Sequence, residues 1–148
     1  MGTEWLSDEE ATEALGAQLA AHTPPGGVWL LTGDLGAGKT TWVRGFVHGL
    51  GGSGEDVSSP TYAVQHRYDT PVGRVVHVDL YRLGGTGAWS LGLEEVLGVE
   101  DRLVVEWPGL DGPWSDRWVA QLELLQEGTG RRATWTLPAF DVLDPSVT

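Results

Sequence analysis

The residues Gly33-Asp34-Leu35-Gly36-Ala37-Gly38-Lys39-Thr40 constrain this chain more than any others, because they match the spacing G-x-x-x-x-G-K-S/T. That spacing has a mechanical reason. Glycines let successive backbone N–H groups turn inward around a phosphate, where a Cβ would crowd the anion. The positive end of the helix that follows adds attraction. In such a loop Lys39 reaches the β and γ oxygens of a nucleoside triphosphate, and the Thr40 hydroxyl coordinates Mg2+. The flanks agree: VWLLT (Val28 to Thr32) is a short apolar run of buried-strand type, and Lys39 to about Leu50 reads as a helix. Thr41, in the first turn of that helix, joins the candidate binding residues.

A phosphate loop needs an acidic partner at the end of a neighbouring strand to organise magnesium. Asp79 ends the run VVHVD and Glu106 ends LVVE, so both are expected on the rim where parallel strands finish and ligands bind. A carboxylate closing an apolar strand is costly to bury without a cation or donor. Thr61, in SSPTY, reads either as a switch-like hydroxyl for magnesium or the γ-phosphate or as a residue opening a strand. Asp34 either orients water or caps a turn. Trp107 either stacks near the nucleotide or packs in the core. The four histidines show no metal-ligand spacing and receive no chemistry.

Elsewhere, Ser7 followed by Glu10 suggests a capping box opening a helix that ends near His22. The stretch from Gly49 to Pro60 reads as a polar, mobile loop. Tyr62 to Tyr68 alternates as a strand, Asp69 to Gly73 turns, and Arg74 to Leu83 is a second strand of this region. LGLEEVLG suggests a short helix, and Arg102 to Trp107 a buried strand. Trp118 to Leu125 and Arg132 to Leu137 flank the hairpin signature Gly128-Thr129-Gly130. Strands alternating with helices and ending in a hairpin predict an α/β fold: a P-loop NTPase-like sheet, mostly parallel, flanked by helices, with antiparallel margin strands and a C-terminal hairpin. With 148 residues the chain is expected to be one domain, 1–148, with a loosely held tail over 138–148.

Composition narrows the function. Nine basic residues against 21 acidic give a net charge of −12, a surface that repels nucleic-acid phosphates. If the protein serves RNA, it is expected to do so indirectly, through a partner. Eight of the nine basic residues are arginine, and Lys39 is the one lysine. Cysteine is absent, which excludes disulfides, thiolate metal sites and cysteine nucleophiles. The acidic start MGTEWLSDEE is not a secretory signal, and no apolar run is long enough to span a bilayer, so a cytoplasmic protein without membrane contact is expected.

Taken in order, GDLGAGKTT, SPTY, HVDLYRL, LGLEEVL and VEWP resemble the TsaE (YjeE) family, P-loop ATPases of bacterial tRNA threonylcarbamoyladenosine synthesis. The resemblance runs from Ser7 to Pro108. It implies that Lys39 and Thr40 meet nucleotide and magnesium, that Asp79 is the metal-associated acid, and that Glu106 is the acid before the Trp of VEWP. Thr61 falls on the family's switch-like Thr. It also implies work alongside TsaB and TsaD, with tRNA reached only through that complex. After DLYRL the segment GGTGAWS replaces a more typical acidic helical stretch.

Other readings compete. A small-molecule kinase usually carries an arginine-bearing lid, and no arginine-rich insert separates Asp79 from Glu106. A GTPase usually reads guanine with Asn-Lys-x-Asp, and no lysine exists outside the phosphate loop. A non-catalytic nucleotide-dependent adaptor sits poorly with two paired acids. The expectation is therefore a slow, Mg2+-dependent ATPase stimulated by partners, with Glu106 and Asp79 in the catalytic roles. A cis arginine for the transition state is sought among Arg44, Arg67 and Arg82.

Overall fold

The computed structural model describes residues 1–34, 36, 38–53, 65–80, 97–107, 112–114 and 116–138. Among them the chain runs β1 (Gly2–Leu6), α1 (Glu9–Ala21), β2 (Val28–Gly33), α2 (Lys39–Gly49), β3 (Gln65–Thr70), β4 (Gly73–Asp79), β5 (Arg102–Glu106), β6 (Val119–Glu127) and β7 (Gly130–Thr136). Residues 91–96 of the short helix expected in LGLEEVLG, residues 62–64 of the alternating strand, Arg82 and residues 139–148 of the expected tail lie outside the described residues.

One sheet holds the seven strands in the order β1-β7-β6-β2-β5-β4-β3. Strands β6, β2, β5 and β4 run parallel, while β1–β7, β7–β6 and β4–β3 are antiparallel. The sheet expected to be mostly parallel is thus parallel in its centre only, in three of its six pairings. Tight turns impose this, since β3–β4 and β6–β7 are joined by two residues each, and so short a connection permits only antiparallel neighbours.

Alternation along β2 divides the core. Trp29 and Leu31 face α1 and α2 together with Val75, Val104, Leu122 and Leu124. Val28 and Leu30 face the other side with Val76, Val78, Leu103 and Val105, where Leu97 and Trp114 pack. On the helical side Trp29, Trp42, Phe46 and Trp118 form a linked aromatic group with ring centroids 5.3–6.0 Å apart. Buried Thr23 completes it, accepting from Trp29 Nε1 at 2.8 Å while donating to Leu19 O at 2.7 Å.

Helix α1 buries Thr12, Leu15, Gly16, Leu19 and Ala20, spaced as one face of an α-helix. Its N-cap is Asp8, not the Ser7 expected from the capping box. Asp8 has extended backbone, and its Oδ1 accepts from Ala11 N at 2.9 Å. Asp caps as well as Ser, and the extended backbone of Asp8 brings its carboxylate to Ala11 N. The two helices touch backbone to backbone: a Cβ on Gly16 would lie 2.2 Å from Trp42 O, and one on Gly45 would lie 2.0 Å from Glu13 O. Among the described residues, no helix is long and apolar enough to cross a membrane.

Candidate functional site

The rim at which β2, β4 and β5 end is where the site is built. Because β6 is parallel to β2, with Gly33 opposite Leu124, the turn after β6 emerges on this rim too. Strand β1 is antiparallel to β7, which is antiparallel to β6. It therefore also finishes here, and α1 starts beside it. A cleft of about 660 Å³ follows the rim from Asp79, Glu106 and Trp107, past Gly36, Gly38, Lys39, Thr40 and Thr41, to the start of α1 and to Thr129, Gly130 and Arg131.

The glycines of the loop serve different ends. Gly33 has φ +134, and a Cβ there would lie 1.9 Å from Leu124 O, so strand β6 demands this glycine as firmly as any ligand does. Gly36 has φ +75, and a Cβ added to it would meet nothing within 4 Å, while Gly38 has φ +98. In these two the left-handed backbone is the requirement. Gly38 is also the N-cap of α2 and offers no side-chain hydrogen bond to the first turn, which leaves those N–H groups aimed at the cleft.

Lys39 is only 5% exposed. Its Nζ donates to Asp34 O at 2.8 Å and Gly33 O at 3.3 Å, and stands 4.6 Å from the centroid of the Trp107 ring. Burial pushes its pKa down, against the opposing pull of the Glu106, Asp79 and Asp34 carboxylates. Trp107 has φ +58, the one positive φ outside glycine among the described residues. Its N–H donates to Leu31 O at 3.0 Å, which anchors this turn to the end of β2. A bulky residue held there costs about 1–3 kcal/mol, and such strain collects at working sites.

Asp79 and Glu106 are register partners across β4–β5. Glu106 is 3% exposed, and its Oε2 lies 2.5 Å from Nε2 of the fully buried His77. A carboxylate can only accept, so with Glu106 ionised it is His77 Nε2 that carries the proton. The other ring nitrogen, Nδ1, has no hydrogen-bond partner among the described residues. His77 thus fixes one oxygen of Glu106, a residue that lines the cleft.

Of the expected site residues, the cleft gathers Gly36, Gly38, Lys39, Thr40, Thr41, Asp79, Glu106 and Trp107. Gly33 and Asp34 meet it through Lys39. The Asp34 carboxylate accepts from Gln126 N, on strand β6, at 3.4 Å. Leu35, Ala37 and Thr61 lie outside the described residues. Two further functional candidates, His77 and Arg131, emerge only from the structure. His77 is detectable in principle, since it stands two residues before Asp79 on the same face of an alternating strand. Arg131 is not, because only the strand order brings the hairpin to the loop. Its Nη2 donates to Gly36 O at 3.2 Å.

Residues 6–133 match the profile of a family described as "Threonylcarbamoyl adenosine biosynthesis protein TsaE". The Bacillus subtilis (strain 168) protein named "tRNA threonylcarbamoyladenosine biosynthesis protein TsaE" is 41% identical over 101 residues, 68% of this chain and 63% of that protein. The chain therefore matches less than two thirds of that relative's length. The protein of the same name from Synechocystis sp. is 43% identical over 108 residues, 70% of this chain and 68% of its own. The crystal structure of YdiB from Bacillus subtilis superposes with a TM-score of 0.68 at 28% identity, covering 92% of this chain and 84% of that one. The described residues of the glycine loop, together with Asp79, Glu106 and Trp107, sit on one rim of one sheet, and the matched stretch encloses every motif of the resemblance: this chain belongs to the TsaE family.

Proposed function

We propose that this chain is a Mg2+-dependent ATP-binding and ATP-hydrolysing component of the tRNA threonylcarbamoyladenosine machinery, acting with TsaB- and TsaD-like proteins. The observation that carries the reading is the start of α2. It is a helix N-terminus with no side-chain cap, preceded by positive-φ glycines and followed by a buried ammonium that for now rests on loop carbonyls. Phosphate oxygens are the natural acceptors for that whole set of donors.

The donor chemistry nearby fits magnesium. Thr40, Asp79 and Glu106 offer oxygen only, and Mg2+ accepts one or two carboxylates when phosphates and water complete its shell. Bound with the nucleotide, the ion would neutralise charge on the β and γ oxygens. Lys39 would bind those same oxygens, and Glu106, steadied by His77, would orient the attacking water. Trp107 would close the wall behind Lys39. A partner protein is expected to complete the shielding of the phosphates, and a net charge of −12 favours a basic protein surface over direct contact with tRNA.

Calorimetry of Mg-ATP binding tests the site, and repeated rounds of tRNA threonylcarbamoylation by purified partners, with and without this protein, test the role. Asp79→Asn is expected to weaken Mg-ATP binding and spare metal-free nucleotide. Glu106→Gln is expected to reduce hydrolysis chiefly. Normal hydrolysis in both variants refutes their roles, and tRNA modification indifferent to the protein refutes the assignment.

A further inference from the structure

The two cations that line the cleft, among the described residues, are Lys39 and Arg131. The other described arginines with assigned contacts are occupied in the frame. Arg44, Arg74 and Arg132 pair with Glu13, Asp101 and Glu127. Arg102 holds the carbonyls of Thr23 and Val72, and Arg117 those of Gly26, Gly98 and Asp101. Arg131 pairs with no carboxylate among the described residues. It donates to its neighbour Gly130 O at 3.0 Å and, across the cleft, to Gly36 O at 3.2 Å. It thus stands toward the phosphate loop as Lys39 does, with its guanidinium resting on a loop carbonyl.

The strand order gives this second cation a direction. Asp79 and Glu106 end β4 and β5, on one side of β2, whereas Arg131 opens β7, beyond β6 on the other. The acids mark the end of the cleft that would hold magnesium and the terminal phosphate. The hairpin marks the opposite end, toward the nucleoside.

We infer that Arg131 is a nucleotide-binding residue that leaves the Gly36 carbonyl to engage the nucleoside-proximal phosphate, the part of the ligand common to ATP and ADP. This rests on the phosphate-loop reading above and adds a residue to it. A guanidinium suits the task, being permanently charged and shaped to grip two oxygens at once. Placed away from the acids, it contributes to holding the nucleotide rather than to telling triphosphate from diphosphate.

The test measures Mg-ATP and Mg-ADP dissociation constants for the full chain, at two salt concentrations, in wild type, Arg131→Lys, Arg131→Gln and Lys39→Ala. Thermal melts confirm that each variant folds. Arg131→Gln keeps a donor for Gly36 O and removes the charge. It is expected to lose about tenfold for both nucleotides alike and to show a shallower salt dependence. Arg131→Lys keeps the charge but loses the two-pronged grip, so its loss is expected to fall between wild type and Arg131→Gln, with a salt dependence close to that of wild type. Equal losses in the Lys and Gln variants, no loss in either, or a loss confined to ATP would each overturn the inference. If Lys39→Ala abolishes binding while Arg131→Gln does not weaken it, the Arg131 assignment alone has failed. If wild type binds neither nucleotide, the phosphate-loop reading has failed and this inference with it.

Discussion

Helices α1 and α2 start side by side on one rim, pack face to face, and differ in what meets their first N–H groups. At α1 the Asp8 carboxylate accepts from Ala11 N, so the helix supplies its own anion. At α2 the N-cap is Gly38 in the left-handed region, without a side-chain bond, and the first turn holds no acidic residue but opens on a cation, Lys39. Both helices carry the same orphan donors and the same partial positive charge. One end is closed within the fold, and the other stays open toward the cleft. The difference lies in one residue position, not in the helices.

The comparison is broken most severely by making α2 resemble α1. Gly38→Asp would place a carboxylate at the open terminus, in a backbone conformation that L side chains rarely adopt. Like charge and steric filling then both oppose a phosphate. We expect Mg-ATP affinity to fall on the order of a hundredfold, as read by calorimetry. Unchanged affinity would mean that the phosphates do not bind at this terminus.

Next in size is the contact that holds the two starts side by side. Gly45→Ala would drive a methyl group into the Glu13 carbonyl, and neither backbone can yield without moving its helix. A stability loss of about 2 kcal/mol is expected in denaturant unfolding. No loss would show that the helices can slide apart at no cost.

Removing the cation at the open end comes third. On the proposed function, Lys39→Ala would leave the β and γ oxygens without their side-chain countercharge, and the expected loss of ATP affinity is about tenfold or more, roughly 1.4 kcal/mol. The Glu106 and Asp79 carboxylates also act electrostatically on Lys39. The variant therefore leaves these acids without that cation, and Mg2+ should recover more binding in the variant than in wild type. Equal affinities for variant and wild type would remove Lys39 from the site.

What is legible in the sequence divides along similar lines. Strand β2, the glycine turn after it, α2 and the strand-end positions of Asp79 and Glu106 are readable because each rests on local pattern: an apolar run, glycine spacing, or a carboxylate closing a strand. Strand β1 is not, because as an edge strand it buries only Leu6 among its five residues and shows no alternation. The cap of α1 falls one residue from its expected place because Ser7 and Asp8 are both good caps, and only backbone conformation chooses between them. His77 reads as a lone histidine in the sequence, although its register puts it under Glu106. Arg131 depends on β6 lying beside β2 and β7 beyond it, an arrangement that no short window of sequence contains.

The smallest effect, and the one that sharpens the comparison, is at the closed end. Asp8→Ala removes the acceptor from Ala11 N and leaves α1 with an open terminus of its own. A lost cap of this kind costs about 1 kcal/mol, which corresponds to a fall of roughly 2–8 °C in Tm for a chain of this size. Asp8 also lines the cleft, so on the proposed function its carboxylate would repel nucleotide phosphates weakly from across the gap. Its removal is expected to leave ATP affinity unchanged or raise it slightly, by less than about threefold. The two readouts therefore move in opposite directions, less stable but no weaker in binding, whereas Gly38→Asp is expected to harm binding. Thermal melts and calorimetry on the same preparation check this pair of signs. A marked loss of affinity in Asp8→Ala would mean that the start of α1 contacts the nucleotide directly, and that both helix starts belong to the binding site.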